Sequence, residues 1–149
     1  MGVAALISWI VTASGGLYML IIWLIENEGG QRGANSSRLP LPVISGHALL
    51  ALTGLATWAA YLFTDRRSLA WASFGVLLAV VLLGVTMLGR WIGVYRAPGA
   101  ATAGPAAVLD PLAVPAERNF PVPVVLGHGL LGITTVTLVL LTAMGVGEG

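Results

Sequence analysis

The chain of 149 residues contains no cysteine, which removes disulfides, thiolate metal sites and cysteine nucleophiles together. It has no lysine either, and all seven basic residues are arginine. Charge of both signs is scarce: 9% of residues are charged, against about 25% in soluble proteins, while 57% are hydrophobic. So few charges cannot solvate an aqueous surface, and the solvent that fits this composition is the bilayer. A net charge of +1 gives no reason to expect nucleic acid. No Gly-rich phosphate loop, Ser–His–Asp set or pair of catalytic carboxylates is present, so hydrolase and kinase chemistry find no support. Histidine occurs only twice, at His47 and His128.

What is present is apolar length. A membrane-crossing helix needs roughly 20 predominantly apolar residues, and four stretches supply them: 3–25, 43–63, 69–91 and 122–145. The expectation is an all-α membrane protein, a single domain over 1–149, with four transmembrane helices and an Ala/Pro-rich loop at 97–119. The first stretch lacks a basic flank and a clean cleavage site, so it reads as a retained span rather than a signal peptide. Aromatic residues near the span ends are expected as interfacial anchors. Trp9, Trp58, Tyr61 and Trp71 mark one face (side A), and Trp23, Trp91 and Tyr95 the other (side B). An even number of spans puts both termini on side A, with the turn at 64–68. Arg32, Arg38, Arg96 and Arg118 fall on side B against Arg66 and Arg67 on side A, which leans side B towards the cytoplasm. Arginine without lysine, with much Ala, Gly, Val and Leu, suggests a GC-rich bacterial gene and hence a bacterial cytoplasmic (inner) membrane.

The sequence also repeats itself. Residues 40–53, PLPVISGHALLALT, align without a gap on 121–134, PVPVVLGHGLLGIT. Apolar sequence matches by chance, but Pro, Gly and His at fixed spacing do not. The first and third spans agree more faintly, with Gly16, Met19, Leu20 and Trp23 corresponding to Gly84, Met87, Leu88 and Trp91. Two hairpins are expected, 3–63 and 69–145, as parallel repeats about an axis along the membrane normal. The fold expected is a duplicated hairpin forming a pseudo-twofold four-helix bundle.

His47 and His128 are equivalent in the repeat. Each follows by five residues a proline suited to a first helical turn, about 6–8 Å inside its helix at 1.5 Å per residue. Facing one another, they would supply both axial ligands of one haem b, with the iron bound to neutral imidazole. Gly46, Gly127, Ala51, Gly54, Gly132 and Thr135 would leave room for a flat macrocycle, and Arg38, Arg90, Arg96 or Arg118 would pair with its propionates. A cofactor-free reading stands beside this one, because small residues on membrane helices commonly mean tight packing. Glu26 and Glu28 could join the histidines in an iron, zinc or manganese site, or be solvated charges at a helix end. Arg90 can snorkel beside Trp91, Tyr18 can pack in the core or face a quinone, and Leu109, Leu112 and Val114 can cover side B as a lid.

The P-x-P-V-x-x-G-H-x-L-L segment, with the Trp58 to Asp65 end of the second span, resembles small four-helix membrane proteins of actinobacterial type. That likeness implies the membrane fold. In general design the paired helix histidines are similar to those of small b-type cytochromes, which often carry two pairs for two haems; one pair here implies at most one bis-histidine haem. The functions expected are therefore a haem b electron-transfer subunit, serving quinone or a larger membrane complex, more an electron carrier than a stand-alone enzyme. The alternatives are a cofactor-free accessory subunit of a respiratory or transport complex, and a small transporter or proton path using the histidine pair. A homo-oligomer remains open.

Overall fold

The computed structural model describes residues 1–29, 37–96 and 115–146, and among these the secondary structure is entirely helical. Four helices are long and apolar enough to cross a membrane: α1 (Gly2–Gly29), α2 (Leu41–Thr64), α3 (Arg67–Arg96) and α4 (Val122–Ala143). One 3₁₀ turn, Ala116–Asn119, precedes α4. Arg32 and the lid candidates Leu109, Leu112 and Val114 lie outside the described residues, as does the side chain of Glu28.

The helix ends follow from local chemistry. α2 and α4 both start behind an extended proline, Pro40 (φ −64°, ψ 131°) and Pro121 (φ −64°, ψ 123°), with a second proline in the first turn, where a missing N–H is harmless. The turn expected at 64–68 is tighter, with only Asp65 and Arg66 outside helix. Asp65 makes this possible by adopting a left-handed conformation (φ 55°), which Asp tolerates, and its N–H reaches the Tyr61 carbonyl at 2.8 Å. α3 runs five residues past the expected end at Trp91, so Arg90 is not terminal. Its last turn is kept helical by packing: Trp91 and Val94 are buried and Trp91 stacks on Tyr95 at 5.2 Å. Hydropathy marks where a span stops, not where a helix stops.

The helices are arranged in a ring, α1–α2–α3–α4, with α1 opposite α3 and α2 opposite α4. The most extensive packing joins α2 to α3 and α1 to α4, rather than the members of each expected hairpin. Two apolar clusters fill the interior. The side-A cluster holds Ala5, Trp9, Trp58, Tyr61, Leu77 and Val139. The side-B cluster holds Trp23, Leu39, Ile44, Trp91, Ala116 and Phe120. Large apolar side chains such as Leu49, Leu52, Leu82, Leu130 and Ile133 face outward, as they do where the surroundings are hydrocarbon.

The aromatic residues correct the sequence reading. They lie near the helix ends, but Trp9, Trp58, Tyr61, Trp23 and Trp91 are buried, and only Trp71 and Tyr95 of the expected anchors are exposed. An indole is bulky enough to fill the interior of a four-helix bundle, and its N–H can be satisfied there: Trp58 Nε1 donates to the Gly2 carbonyl at 3.2 Å. Tyr18 likewise faces outward, with 49% of its surface exposed, so it is not a core residue.

Gly54 shows how closely the bundle is packed. A Cβ there would lie 2.9 Å from Trp9 Cζ2 and 3.2 Å from Val76 Cγ1, while the Gly54 carbonyl accepts a 2.9 Å bond from the buried Ser73 hydroxyl. Gly75, on α3, has no heavy atom within 4 Å of its would-be Cβ. Gly54→Ala is therefore expected to destabilise the detergent-solubilised protein by about 1–3 kcal/mol through overpacking. Gly75→Ala should unfold with the wild type, which thermal or SDS unfolding of the two variants in parallel will check.

Candidate functional site

His47 lies six residues into α2 and His128 six residues into α4 (41 to 47, 122 to 128), about 9 Å from each helix start. Their helices occupy opposite corners, so both imidazoles point across the bundle interior. The ring centroids are 6.2 Å apart and the planes are tilted by 54°.

Each ring is held by a neighbouring helix. His47 Nδ1 donates to the Val80 carbonyl of α3 at 3.0 Å, and His128 Nδ1 donates to the Thr12 carbonyl of α1 at 2.9 Å. A carbonyl only accepts, so Nδ1 carries the proton in both rings. In the neutral imidazole this leaves Nε2 as a lone-pair acceptor. No described residue offers either Nε2 a hydrogen bond, and none joins the rings to each other.

Four residues beyond each accepting carbonyl stands a glycine. A Cβ on Gly16 would lie 3.0 Å from His128 Cε1, and one on Gly84 would lie 3.2 Å from His47 Cε1. At both positions a Cβ would press on the imidazole, which rests against the helix backbone. The Thr12 turn is itself braced. Thr12 Oγ1 donates to the Ser8 carbonyl at 2.8 Å, and Ser8 Oγ meets the buried Thr135 Oγ1 at 2.8 Å.

The small residues expected around the histidines are placed differently from one another. Gly54 is filled by the Trp9 indole, and Gly46 faces Leu83 Cδ1 at 3.5 Å. Ala51 packs on the side-A cluster, whereas Gly127 and Gly132 have no heavy atom within 4 Å of a would-be Cβ. The glycines against the imidazoles are thus Gly16 and Gly84, on α1 and α3. Sequence comparison had paired these two residues but gave them no role. Glu26 is exposed, and among the described residues no group of three His, Asp or Glu gathers as a metal site would require.

On side B the arginines form a rim rather than a cluster at the rings. Arg38, Arg90 and Arg96 are exposed and Arg118 is half-buried. Arg90 Nη1 donates to the Arg38 carbonyl at 3.0 Å. The residue that sequence reasoning missed is Glu117, fully buried in the 3₁₀ turn. Its Oε1 accepts from the Arg38 backbone N–H at 2.7 Å and its Oε2 from the Ser37 hydroxyl at 3.1 Å; Ser37 Oγ in turn accepts from Trp23 Nε1 at 3.0 Å. One carboxylate therefore joins the segment before α4 to the segment before α2 and, through Ser37, to α1. An acid inside an Ala/Pro-rich stretch carries no sequence signal of burial.

Chemically, the pair offers two nitrogen lone pairs on facing rings. His47 and His128 are the residues that would hold a metal or haem iron here, and their Nε2 lone pairs are what they would offer it. No protein-family model matches the chain, and comparison with curated proteins and with solved structures finds no match.

The Glu117 junction has its own consequence. Glu117→Ala leaves the Arg38 N–H without its acceptor and the Ser37 hydroxyl with only the Leu39 carbonyl at 3.5 Å, at a cost of about 1–3 kcal/mol for an orphaned group. A clear drop in the unfolding temperature is expected. Glu117→Gln, which keeps an accepting oxygen, should recover part of it.

Proposed function

We propose that this chain is a small membrane subunit that binds one haem b through His47 and His128 and carries electrons. The observation that supports it most is the facing imidazole pair, 6.2 Å between centroids, with each Nδ1 bonded to a backbone carbonyl. Axial histidines of metal centres characteristically donate their outer N–H to a carbonyl or carboxylate, which fixes the tautomer and the ring direction. Haem bound in this way supplies one-electron transfer. The protein's own part is to hold both rings rigid, keep water away with the side-A and side-B clusters, and present the arginine rim. Electrons would pass to or from quinone or a partner subunit in a bacterial inner membrane.

The same geometry supports descent from a duplicated hairpin. Thr12 and Gly16 stand in the same register as Val80 and Gly84, each offset by 68 positions (12 to 80, 16 to 84), as in the sequence alignment. His47 and His128 are offset by 81. Each histidine bonds to the other half, so the two copies would be interlocked about a pseudo-twofold axis, with both termini on one side.

A second reading has one observation in its favour. The two Nδ1 bonds tie α2 to α3 and α4 to α1, which is the work of a purely structural histidine in a cofactor-free accessory subunit. Interhelical bonds of this kind contribute only about 0.6 kcal/mol on average within membranes. Replacing either histidine should therefore leave the bundle folded, and the variants can separate the readings. Protein purified from haem-supplied cells is expected to show a sharp b-type α band in a dithionite-reduced minus oxidised spectrum, with one haem per chain. His47→Ala and His128→Ala should each cut haem retention by about tenfold or more, since loss of an outer-shell partner alone costs 10–100-fold in metal affinity. A flat spectrum, or haem content indifferent to both variants, would sink the haem reading and leave the accessory subunit, whose partner copurification would then identify.

A further inference from the structure

Trp91 Nε1 is the sole buried side-chain nitrogen or oxygen among the described residues that has no hydrogen-bond partner. The indole is 6% exposed, and its plane is set by stacking on Tyr95 at 5.2 Å and 23°. Buried Trp N–H groups normally find an acceptor, and an orphaned one costs about 1–3 kcal/mol. Trp23, at the corresponding position of α1, has its acceptor in Ser37. The same residue type in two matched places is thus satisfied once and left open once.

The open donor lies close to the histidines. Trp91 follows Gly84 by seven residues, two helical turns, and so shares the face of α3 on which His47 rests. Its Cα–Cβ bond tilts towards the helix N-terminus, which is the direction of His47. Ile44 belongs to the same buried cluster, and Val125 packs against that cluster; these precede His47 and His128 by one turn each. The unpaired N–H therefore belongs to the layer immediately on side B of the imidazoles.

An indole N–H only donates, so what completes it is an acceptor, and an anionic oxygen gives the strongest bond. Among the described residues Glu117, the buried carboxylate nearby, is committed to Arg38 and Ser37. We propose that Trp91 Nε1 donates to a propionate carboxylate of the haem held by His47 and His128, and so fixes the edge of the macrocycle that faces side B. This inference rests on the haem reading above. It assigns the inner propionate contact to Trp91, while exposed Arg90 and Arg38 stay at the rim, where Arg90 is bonded to the Arg38 carbonyl.

The test compares haem-loaded wild type with Trp91→Phe, which keeps an aromatic ring and removes the N–H. The α band should be unmoved, because the axial ligands are untouched. The propionate bending band in resonance Raman should shift. Loss of a donor leaves more negative charge on the carboxylate and favours ferric iron, so the ferric–ferrous equilibrium should move about threefold to tenfold towards ferric, up to about 59 mV lower in potential. Tyr95→Phe, which keeps the stack, should leave the band in place. As a measurement on unaltered protein, wild type loaded with haem dimethyl ester, which lacks free carboxylates, should retain its haem more weakly. Trp91→Phe should lose nothing further with that ester. Haem bound through the histidines with an unchanged propionate band and equilibrium in Trp91→Phe would overturn this inference alone. Protein that takes up no haem would overturn both.

Discussion

The setting of both imidazoles depends on a carbonyl that has two partners. In α1 and α3 the oxygens of Thr12 and Val80 sit at positions where a helix ordinarily bonds only to itself, and each also accepts an imidazole N–H from a neighbouring helix. A carbonyl oxygen has two lone pairs, so the second bond does not break the first. That interaction sets the tautomer of each ring, and with it the close approach of the imidazoles to Gly16 and Gly84. The two bonds cross the interfaces with the most extensive packing, α2 with α3 and α4 with α1.

Close approach of backbones is the second constraint, and it divides the glycines by what they touch. Gly54 admits an indole, Gly16 and Gly84 admit imidazoles, and Gly75, Gly127 and Gly132 have nothing against them. In a bilayer there is no hydrophobic drive between helices, so tight van der Waals packing and interhelical hydrogen bonds must hold them together. Polar side chains accordingly find partners inside. The Ser73 hydroxyl reaches the Gly54 carbonyl, and the Ser8, Thr12 and Thr135 hydroxyls brace one another. Against this background an unpartnered donor such as Trp91 Nε1 stands out.

The sequence was most legible where residue types are chemically special. Four apolar stretches gave four helices, and the P-x-P start gave both helix onsets, because Pro fixes φ and fits the first turn. The match of Pro, Gly and His between two segments singled out His47 and His128, which the fold brings face to face. What was not legible depends on rotation about helix axes. The indoles of Trp9, Trp23, Trp58 and Trp91 sit at the expected levels but turn inward, since a Trp near a span end is equally compatible with headgroups and with a bundle interior. Glu117 was hidden for a different reason. Its burial depends on a backbone N–H and a hydroxyl some 80 positions away, at Arg38 and Ser37.

The imidazole tautomers carry the argument one step further. With both protons on Nδ1, two Nε2 lone pairs share one interior space, and no described residue donates to either. Neither Nε2 is among the buried orphaned atoms, so each is a lone pair left accessible beside the other ring rather than sealed into the packing. A bundle selected only for tight packing would do better with apolar residues at 47 and 128, since the two interhelical bonds return about 0.6 kcal/mol each on average. The haem reading would give those two lone pairs an electron-pair acceptor in common. On the haem reading proposed above, His47 and His128 would engage one metal through both lone pairs at once, and that is what separates this reading from a structural tie.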